Sequence, residues 1–107
     1  MYTTHFYAST HKQWLLDCAD YALQKNLPIF VSECAGMEAS GDAAIDLEEW
    51  NRYLQWMQQK KLSWAARLIS DKDETCSMMA LLIPPIDGWQ DNDLKTWGKI
   101  VKQALNP

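Results

Sequence analysis

The sequence predicts an α/β fold in which three parallel β-strands alternate with three helices. Three apolar runs have the length and the β-branched or aromatic content of buried strands, and they cover residues 1–7, 28–33 and 62–69. Each run is followed by a segment whose apolar residues recur at helical spacing. An alternating order of this kind is typical of parallel sheets, because parallel neighbours need a crossover connection.

The first helix is predicted over His11–Lys25, with Thr10 as its N-cap. Asn26 can adopt the left-handed conformation that ends a helix. The apolar stripe of this helix consists of Trp14, Leu15, Cys18, Ala19, Ala22 and Leu23. We therefore expect Trp14 and Cys18 to belong to the core.

A small and polar stretch, residues 36–44, predicts a loop before the second helix. Asp46, followed three residues later by Glu49, has the spacing of a capping box. The second helix should end near Lys60, because basic side chains suit the negative end of the helix dipole. Its apolar stripe consists of Leu47, Trp50, Leu54 and Met57.

A long connection of roughly residues 70–90 follows the third strand and contains Pro84-Pro85. Connections of this length are usually functional or loosely ordered. The last helix is predicted to start near Asp91, and Gly98 inside it should cost up to about 1 kcal/mol relative to alanine. Its buried stripe consists of Leu94, Trp97, Val101 and Leu105.

The predicted sheet would be covered on one face only, since right-handed crossovers put all three helices on the same side. Parallel sheets are normally covered on both faces, and no further element remains in the sequence for the second face. The pattern therefore favours a partial (β/α)8 barrel, whose strands would pack against strands that this chain does not carry. The alternative is a small three-layer α/β domain with helices on both sides.

Composition and charge exclude several classes of function. The net charge of −4 leaves no basic stripe for nucleic acid. No apolar run approaches the roughly 20 residues of a membrane span, and residues 1–10 lack the features of a signal peptide. Three cysteines without C-x-x-C spacing indicate neither a disulfide framework nor a zinc site. We predict no cofactor and no metal.

Polar side chains stand where each predicted strand ends. The first strand ends with His5 and Tyr7, the second with Glu33, and the third with the polar cluster of residues 70–74. The carboxyl ends of parallel strands meet at the edge where α/β proteins carry out their chemistry. The sequence therefore predicts an active site at this edge. Cys34, directly after the carboxylate, is a further candidate as a reactive thiol.

Several stretches of the chain, in order, match one family. They are residues 1–8 and 10–11, 19–23, 28–33, 63–64, 70–74 and 88–105. With these stretches the chain resembles family 5 glycoside hydrolases, specifically the bacterial endo-β-1,4-glucanase (cellulase) branch. The resemblance spans essentially the whole chain. It implies that residues 1–107 are the C-terminal part of a (β/α)8 catalytic domain, covering the last three βα units.

The resemblance also implies roles for individual residues. Glu33 would be the catalytic nucleophile of a retaining enzyme, Tyr7 would hydrogen-bond it, and His5 would hold its orientation. Lys72 and Glu74 match positions that hydrogen-bond sugar hydroxyls. A retaining glycosidase uses one carboxyl group to attack and a second, about 5–5.5 Å away, to protonate the leaving oxygen. The implied substrate is a β-1,4-glucan or cello-oligosaccharide, and the parent enzyme would be secreted.

The sequence departs from the family pattern at three points. The acid/base glutamate of the family follows the fourth strand, in a part of the barrel that this chain does not carry. Cys34 stands where the family usually has a tryptophan after the nucleophile. Arg67 stands where a tryptophan stacks under the sugar. Arg67 could stack on the substrate, or it could pair with Glu33, lower its pKa and occupy the site.

Two non-catalytic alternatives stay open. Open sheet edges and apolar strand faces would favour self-association into a homo-oligomer, or pairing with a complementing N-terminal barrel half. A carbohydrate-binding module could instead use an exposed aromatic platform, for which Trp89 is the best candidate. Trp89 could instead be a lid that packs on the sheet.

Overall fold

A computed structural model describes residues 1–81 and 88–106 of the chain. The strands form one parallel sheet in the order β1-β2-β3. This arrangement confirms the predicted α/β fold with three parallel strands alternating with helices. The elements are β1 (Tyr2–Tyr7), α1 (Ala8–Gln24), β2 (Ile29–Ala35), α2 (Leu47–Lys60), β3 (Trp64–Ala66), a 3-10 turn (Asp91–Asp93) and α3 (Thr96–Leu105).

The core lies between one face of the sheet and the helices. Trp50 of α2 is buried, and its ring lies 6.4 Å from the ring of Phe6 and 5.9 Å from that of Trp64. The buried ring of Trp97, from α3, meets Trp50 edge-on at 4.9 Å. Aromatic pairs at these distances stabilise the fold beyond the area that they bury. Trp50 and Trp97 are therefore core residues, as predicted.

The other face of the sheet is exposed to solvent at His5 of β1 and at Ala65 of β3. Successive side chains of a strand point to opposite faces. In β1, His5 is exposed and Phe6 is buried; in β3, Ala65 is exposed while Trp64 packs on α2. One-sided burial agrees with a partial barrel and disagrees with the three-layer alternative.

The second strand is longer than predicted. β2 continues to Ala35, so Glu33 lies inside the strand, and Cys34 pairs with β1 instead of turning away. A shift in the register between the two strands skips Ser32 and sets Glu33 opposite His5. Glu33 therefore lies two paired positions before the end of β2, beside the last residues of β1.

The third strand is shorter than the predicted residues 62–69. After Ala66 the backbone leaves the sheet and pairs with the loop that follows. The amide of Leu68 donates to the carbonyl of Cys76 at 3.1 Å, and the amide of Met78 donates back to Leu68 at 3.0 Å. The peptide bond between Arg67 and Leu68 is cis. This local pairing replaces the outer half of the predicted strand.

The first helix begins at Ala8, three residues before the predicted start, and Thr10 does not cap it. The hydroxyl of Thr10 accepts a hydrogen bond from the amide of Ala39 instead, at 2.9 Å. At Lys12 the backbone leaves helical geometry (φ 45°, ψ −136°), and its carbonyl accepts the hydroxyl of Tyr53. The predicted start falls close to this kink. Asn26 has the expected left-handed conformation, with φ 59°.

The prediction that Trp14 and Cys18 are core residues is wrong. Trp14 is 65% exposed and the thiol of Cys18 is also exposed. Leu16 and Ala19 are buried in their place. Helical spacing shows which residues share a face of the helix, but not which face packs on the core. In α1 the face that packs on the core is the one opposite Trp14.

The second helix starts and ends as predicted. The carboxylate of Asp46 accepts the amide of Glu49 at 3.0 Å, but only this half of the capping box forms, because the side chain of Glu49 pairs with Arg52. The helix ends at Lys60, followed by a left-handed residue. The stripe is buried or half-buried except for Leu47, which is 52% exposed at the first position of the helix.

The last helix begins at Thr96, five residues later than predicted. Asp91–Asp93 form a 3-10 turn instead. Val101 is buried as expected, but Leu105 is 60% exposed, contrary to the prediction. The predicted Pro84-Pro85 connection lies outside the described residues.

Candidate active site

Glu33 is the centre of a small polar cluster on neighbouring strands. The hydroxyl of Tyr7 donates to Oε1 of Glu33 at 2.7 Å, and Nη1 of Arg67 donates to the same oxygen at 2.8 Å. The Glu33 side chain is 29% exposed and that of Arg67 is 40% exposed, so solvent reaches the pair. The sheet order brings these groups together, because β2 lies between β1 and β3. Of the two alternatives for Arg67, the structure has the ion pair.

The cluster keeps the carboxylate ionised. The hydrogen bond from Arg67, followed by that from Tyr7, holds the pKa of Glu33 below its ordinary value, against a smaller opposing effect of burial. The nearby imidazole of His5 makes the smallest contribution to the lowered pKa of Glu33. Burial and the neighbouring carboxylate raise the pKa of Tyr7 to about 12. At neutral pH the site therefore pairs a charged acceptor with a phenol that keeps its proton.

The two oxygens of Glu33 have different surroundings. Oε1 accepts both hydrogen bonds, from Tyr7 and from Arg67. Within residues 1–81 and 88–106, no hydrogen bond to Oε2 is observed. A carboxylate fixed through one oxygen has the lone pairs of the other available for attack on carbon or for accepting a proton. The arrangement suits a nucleophile or a general base.

The two histidines lie near the site in different ways: His5 is the strand neighbour of Glu33, whereas His11 contacts the backbone of Tyr7. His5 is exposed and stands opposite Glu33 in the strand register, and no hydrogen bond between the two is found in the described part of the chain. Nδ1 of His11 lies 2.9 Å from the amide nitrogen and 3.2 Å from the carbonyl oxygen of Tyr7. His11 thus anchors the backbone that carries the phenol. Its position four residues after Tyr7 was the available signal for this contact, and the sequence interpretation missed it.

The predicted sugar-binding residues lie in the segment after β3. Lys72 is exposed, and Glu74 is half-buried with its carboxylate 3.7 Å from the thiol of Cys76. The ammonium group of Lys95 binds the backbone carbonyls of both Lys72 and Glu74, at 3.4 and 2.6 Å. Among the described residues, neither side chain forms a hydrogen bond or an ion pair with Glu33. Lys95 fixes the path of this segment beside the start of α3.

Cys76 is a residue of the site that the sequence did not reveal. It is buried, and burial together with the charge of Glu74 raises the pKa of its thiol, while Arg67 opposes this effect. Arg67 thus acts on two ionisable groups, because it lowers the pKa of Glu33 and opposes the rise in the pKa of the Cys76 thiol.

Cys34 is not a reactive thiol. Its side chain is fully buried and its Sγ donates to the carbonyl of Ala65 at 3.4 Å. Burial raises the pKa of the Cys34 thiol to about 12, so the nucleophilic thiolate is rare at neutral pH. The residue acts as a small core side chain between β2 and β3.

Trp89, the candidate sugar platform, lies beside α3. It is 43% exposed and lines a cleft of about 280 Å³ together with Ile69, Leu94 and Leu105.

Across the described residues, no group of three or more His, Cys, Asp or Glu side chains could hold a metal ion. None of the helices in that part of the chain is long and apolar enough to cross a membrane.

Solved structures with the same arrangement define the class of fold. The chain superposes over 99% of its length on a structure from Cytophaga hutchinsonii, with a TM-score of 0.95 and 38% identity, and covers 35% of that chain. It also superposes over its full length on the catalytic domain of an endoglucanase from Thermobifida fusca solved with cellotetraose, with a TM-score of 0.88 and 27% identity. This chain is a partial (β/α)8 barrel.

Sequence comparison then gives the family. The family Cellulase (glycosyl hydrolase family 5) matches residues 1–73. Over 105 residues the chain is 38% identical to an endoglucanase from Clostridium saccharobutylicum and 36% identical to Endoglucanase A from Evansella cellulosilytica. The chain belongs to glycosyl hydrolase family 5, as its sequence predicted. Each match covers 98% of this chain. The chain therefore spans only 23% and 22% of the length of these two relatives.

Proposed function

We propose that this chain is the nucleophile-bearing, C-terminal portion of a retaining endo-β-1,4-glucanase. The observation that carries the proposal is the ionised Glu33 near the carboxyl end of the middle strand. Tyr7 and Arg67 hold its carboxylate through Oε1 alone. Its relatives from two bacteria are endoglucanases, and one structural neighbour holds cellotetraose. The proposed substrate is therefore a β-1,4-glucan or a cello-oligosaccharide.

In the first step, Oε2 of Glu33 attacks the anomeric carbon of the sugar, and the bond from that carbon to the glycosidic oxygen breaks. The electron pair of the broken bond goes to the leaving oxygen, which takes a proton from a carboxylic acid. The product is an ester between the sugar and Glu33. Tyr7 assists by keeping Oε1 in place, so that the attacking oxygen stays aimed at the carbon.

In the second step, a water molecule attacks the anomeric carbon and the ester bond to Glu33 breaks. The conjugate base of the same acid takes the proton from the water, and the carboxylate of Glu33 is regenerated. We place that acid outside this chain, in the barrel portion that carries the acid/base glutamate of the family. General acid assistance is typically worth about 10²–10⁴-fold in rate, so the isolated chain should be inactive or only weakly active.

A complementing barrel portion is therefore part of the proposal. It supplies the proton donor and covers the open sheet face on which His5 and Ala65 are exposed. The portion could belong to the same polypeptide or to a separate one, and we place the parent enzyme outside the cell. Lys72 and Glu74 would bind sugar hydroxyls once substrate is held between the two portions.

The test is a chimera in which this chain replaces the matching 105-residue segment of the Clostridium saccharobutylicum endoglucanase. Release of reducing ends from carboxymethylcellulose is measured for the chimera and for its Glu33→Gln variant. We expect activity in the chimera and a loss of about 10³-fold or more in the variant, as for removal of other catalytic nucleophiles. Equal rates in the two proteins would disprove the role of Glu33.

A second candidate function is carbohydrate binding without turnover. The ion pair between Arg67 and Glu33 favours it, because the guanidinium partly neutralises the attacking group. In this case the chimera would bind cello-oligosaccharides without cleaving them, and Glu33→Gln would leave the affinity unchanged. Calorimetric titration with cellopentaose, run beside the reducing-end assay, separates the two functions.

A further inference from the structure

Arg67 is a fixed cation beside the carboxylate of Glu33. The amide of Arg67 donates to the carbonyl of Cys34 at 2.9 Å, which ties its backbone to the residue that follows Glu33. The carbonyl of Arg67 accepts the indole of the buried Trp97. Contacts to β2 and to α3 therefore fix the backbone at Arg67, from which the guanidinium reaches the carboxylate.

The guanidinium binds the oxygen of Glu33 that is not proposed to attack the sugar. Nη1 of Arg67 lies 2.8 Å from Oε1, which also accepts the hydroxyl of Tyr7. Within residues 1–81 and 88–106, Oε2 has no hydrogen bond to a protein group. Because Oε1 takes no part in the bond to the sugar, the contact with Arg67 is compatible with a sugar attached to Oε2.

The charge of Glu33 changes twice in the proposed reaction. In the first step, Oε2 bonds to the anomeric carbon and the bond from that carbon to the leaving oxygen breaks, so that the carboxylate becomes a neutral ester. In the second step, water attacks the same carbon, and the electron pair of the broken ester bond returns to Oε2. The conjugate base of the acid takes the proton of the water.

A cation beside Glu33 stabilises the carboxylate more than the ester, because only the carboxylate carries a charge. The hydrogen bond to Glu33 raises the pKa of Arg67, which therefore stays charged during both steps. Tyr7, the second donor, is neutral, since its pKa is raised to about 12. The permanent charge in contact with Oε1 thus comes from Arg67.

We infer that Arg67 is a positioning residue that acts oppositely on the two steps: it slows the formation of the ester on Glu33 and speeds its hydrolysis. The inference rests on the proposed function and adds to it a role for Arg67 in the breakdown of the intermediate. Two other roles predict different kinetics. An arginine that only blocks Glu33 slows the first step alone, and one that only supports the fold affects both steps in the same direction.

The test measures the two steps separately in the chimera described above. The reagent is 2,4-dinitrophenyl 2-deoxy-2-fluoro-β-cellobioside, whose leaving group departs without help from an acid. Its fluorine slows both steps by destabilising the oxocarbenium-like transition state. Release of dinitrophenolate at saturating reagent gives the rate of the first step. After gel filtration, the return of activity on carboxymethylcellulose gives the rate of the second.

Arg67→Met removes the charge and keeps a side chain of similar length. We expect release of dinitrophenolate to become about threefold faster and the return of activity about threefold slower. Their ratio then changes about tenfold, the equivalent of one pKa unit of the carboxylate. Arg67→Lys keeps the charge and should leave both rates close to those of the unaltered chimera. Lys99→Met removes a positive charge from an exposed position of α3 and should change neither rate.

Two further measurements keep the test decisive. Circular dichroism and the Tm show whether each variant folds, and Arg67→Gln, which is also neutral, replaces Arg67→Met if that protein does not fold. In the 107-residue chain, titration of the side-chain carboxyl carbons by NMR gives the pKa of Glu33. It should rise toward 4.5 in Arg67→Met and stay low in Arg67→Lys. An equal pKa in all three chains would overturn the inference.

The kinetic outcomes separate this inference from the proposed function. A faster first step with an unchanged or faster second step would overturn the inference, because Arg67 would then only block Glu33. Equal slowing of both steps would also overturn it and give Arg67 a structural role. Either result leaves the proposed function standing, since an ester on Glu33 still forms and is hydrolysed. No release of dinitrophenolate by the unaltered chimera would refute the proposed function, and the inference with it.

Discussion

The hydroxyl of Tyr7 lies 2.7 Å from Oε1 of Glu33, across two neighbouring parallel strands. The shift in register between β1 and β2 sets the carboxylate opposite His5, two residues before Tyr7. The pKa of the phenol is raised to about 12 and that of the carboxyl is lowered, so donor and acceptor keep their roles over a wide range of pH. This pair is the most specific chemical feature of the site.

Tyr7→Phe removes one of the two donors on Glu33. We expect the pKa of Glu33 to rise toward its ordinary value of 4.5. A hydrogen bond to a charged group contributes about 1.5–3 kcal/mol to stability. Because Glu33 is partly exposed, solvent weakens this contribution. We therefore expect Tyr7→Phe to lower the free energy of unfolding by about 1 kcal/mol.

The sign of the pH dependence follows from the lowered pKa of Glu33. Stability from a lowered carboxyl pKa is present above pH 4.5 and is lost as the pH falls through the folded-state pKa. The difference between the wild type and Tyr7→Phe should therefore be full at neutral pH and shrink in acid. Urea unfolding at several pH values measures it, and a difference independent of pH would contradict the assignment.

Arg67→Trp should increase the activity of the chimera about tenfold. The change removes the cation that neutralises Glu33 and provides an aromatic surface for the sugar, and a more basic carboxylate is a better nucleophile. Arg67→Lys, which keeps the charge, is the matched control and should not increase the rate. The measurement is kcat on carboxymethylcellulose; a kcat that stays constant or falls in Arg67→Trp would show that the ion pair assists the reaction.

Gly98→Ala should destabilise the fold by about 1–3 kcal/mol, the range for an overpacked site. A Cβ at this position would overlap the backbone carbonyl of Met78, which lies against the helix. Helix propensity alone predicts the opposite sign, a gain of up to about 1 kcal/mol. Thermal and urea unfolding decide between them, with Lys99→Ala at an exposed position of the same helix as the control.

One thiol of the native chain should react with N-ethylmaleimide at neutral pH, and three should react after unfolding. Cys18 is exposed, whereas burial raises the pKa of both Cys34 and Cys76 and keeps them protonated. Mass spectrometry of modified peptides identifies the site, and Cys18→Ser should abolish the native reaction. Rapid modification of Cys34 in the folded chain would contradict the burial described here.

The sequence predicted the parts of the fold that depend on local chemistry. Apolar runs rich in β-branched or aromatic residues predicted the strands that carry Tyr7 and Glu33, and an acidic N-cap, Asp46, predicted the start of α2. These features need only the residue and its close neighbours along the chain. The parallel order of the strands then followed from their alternation with helices.

Other features depend on contacts that no local pattern encodes. Trp14 and Cys18 have the spacing of one helix face. Which face of α1 is buried, however, depends on where the sheet and α2 lie, and the spacing does not contain that information. The place of Cys76 depends on the path of the loop after β3, which the sequence predicted only as a long connection. The ion pair of Arg67 with Glu33 was one of two alternatives, and only the three-dimensional arrangement distinguished them.

The most direct test of the central claim is covalent trapping of Glu33. The chimera is incubated with 2,4-dinitrophenyl 2-deoxy-2-fluoro-β-cellobioside, whose leaving group needs no acid, so the reaction reports the nucleophilic step alone. The fluorine slows release of the intermediate by destabilising the oxocarbenium-like transition state. The account predicts one fluorocellobiosyl group per protein, on the peptide that contains Glu33, and none in Glu33→Gln. A label on another carboxylate, or dinitrophenolate release that persists in Glu33→Gln, would contradict it.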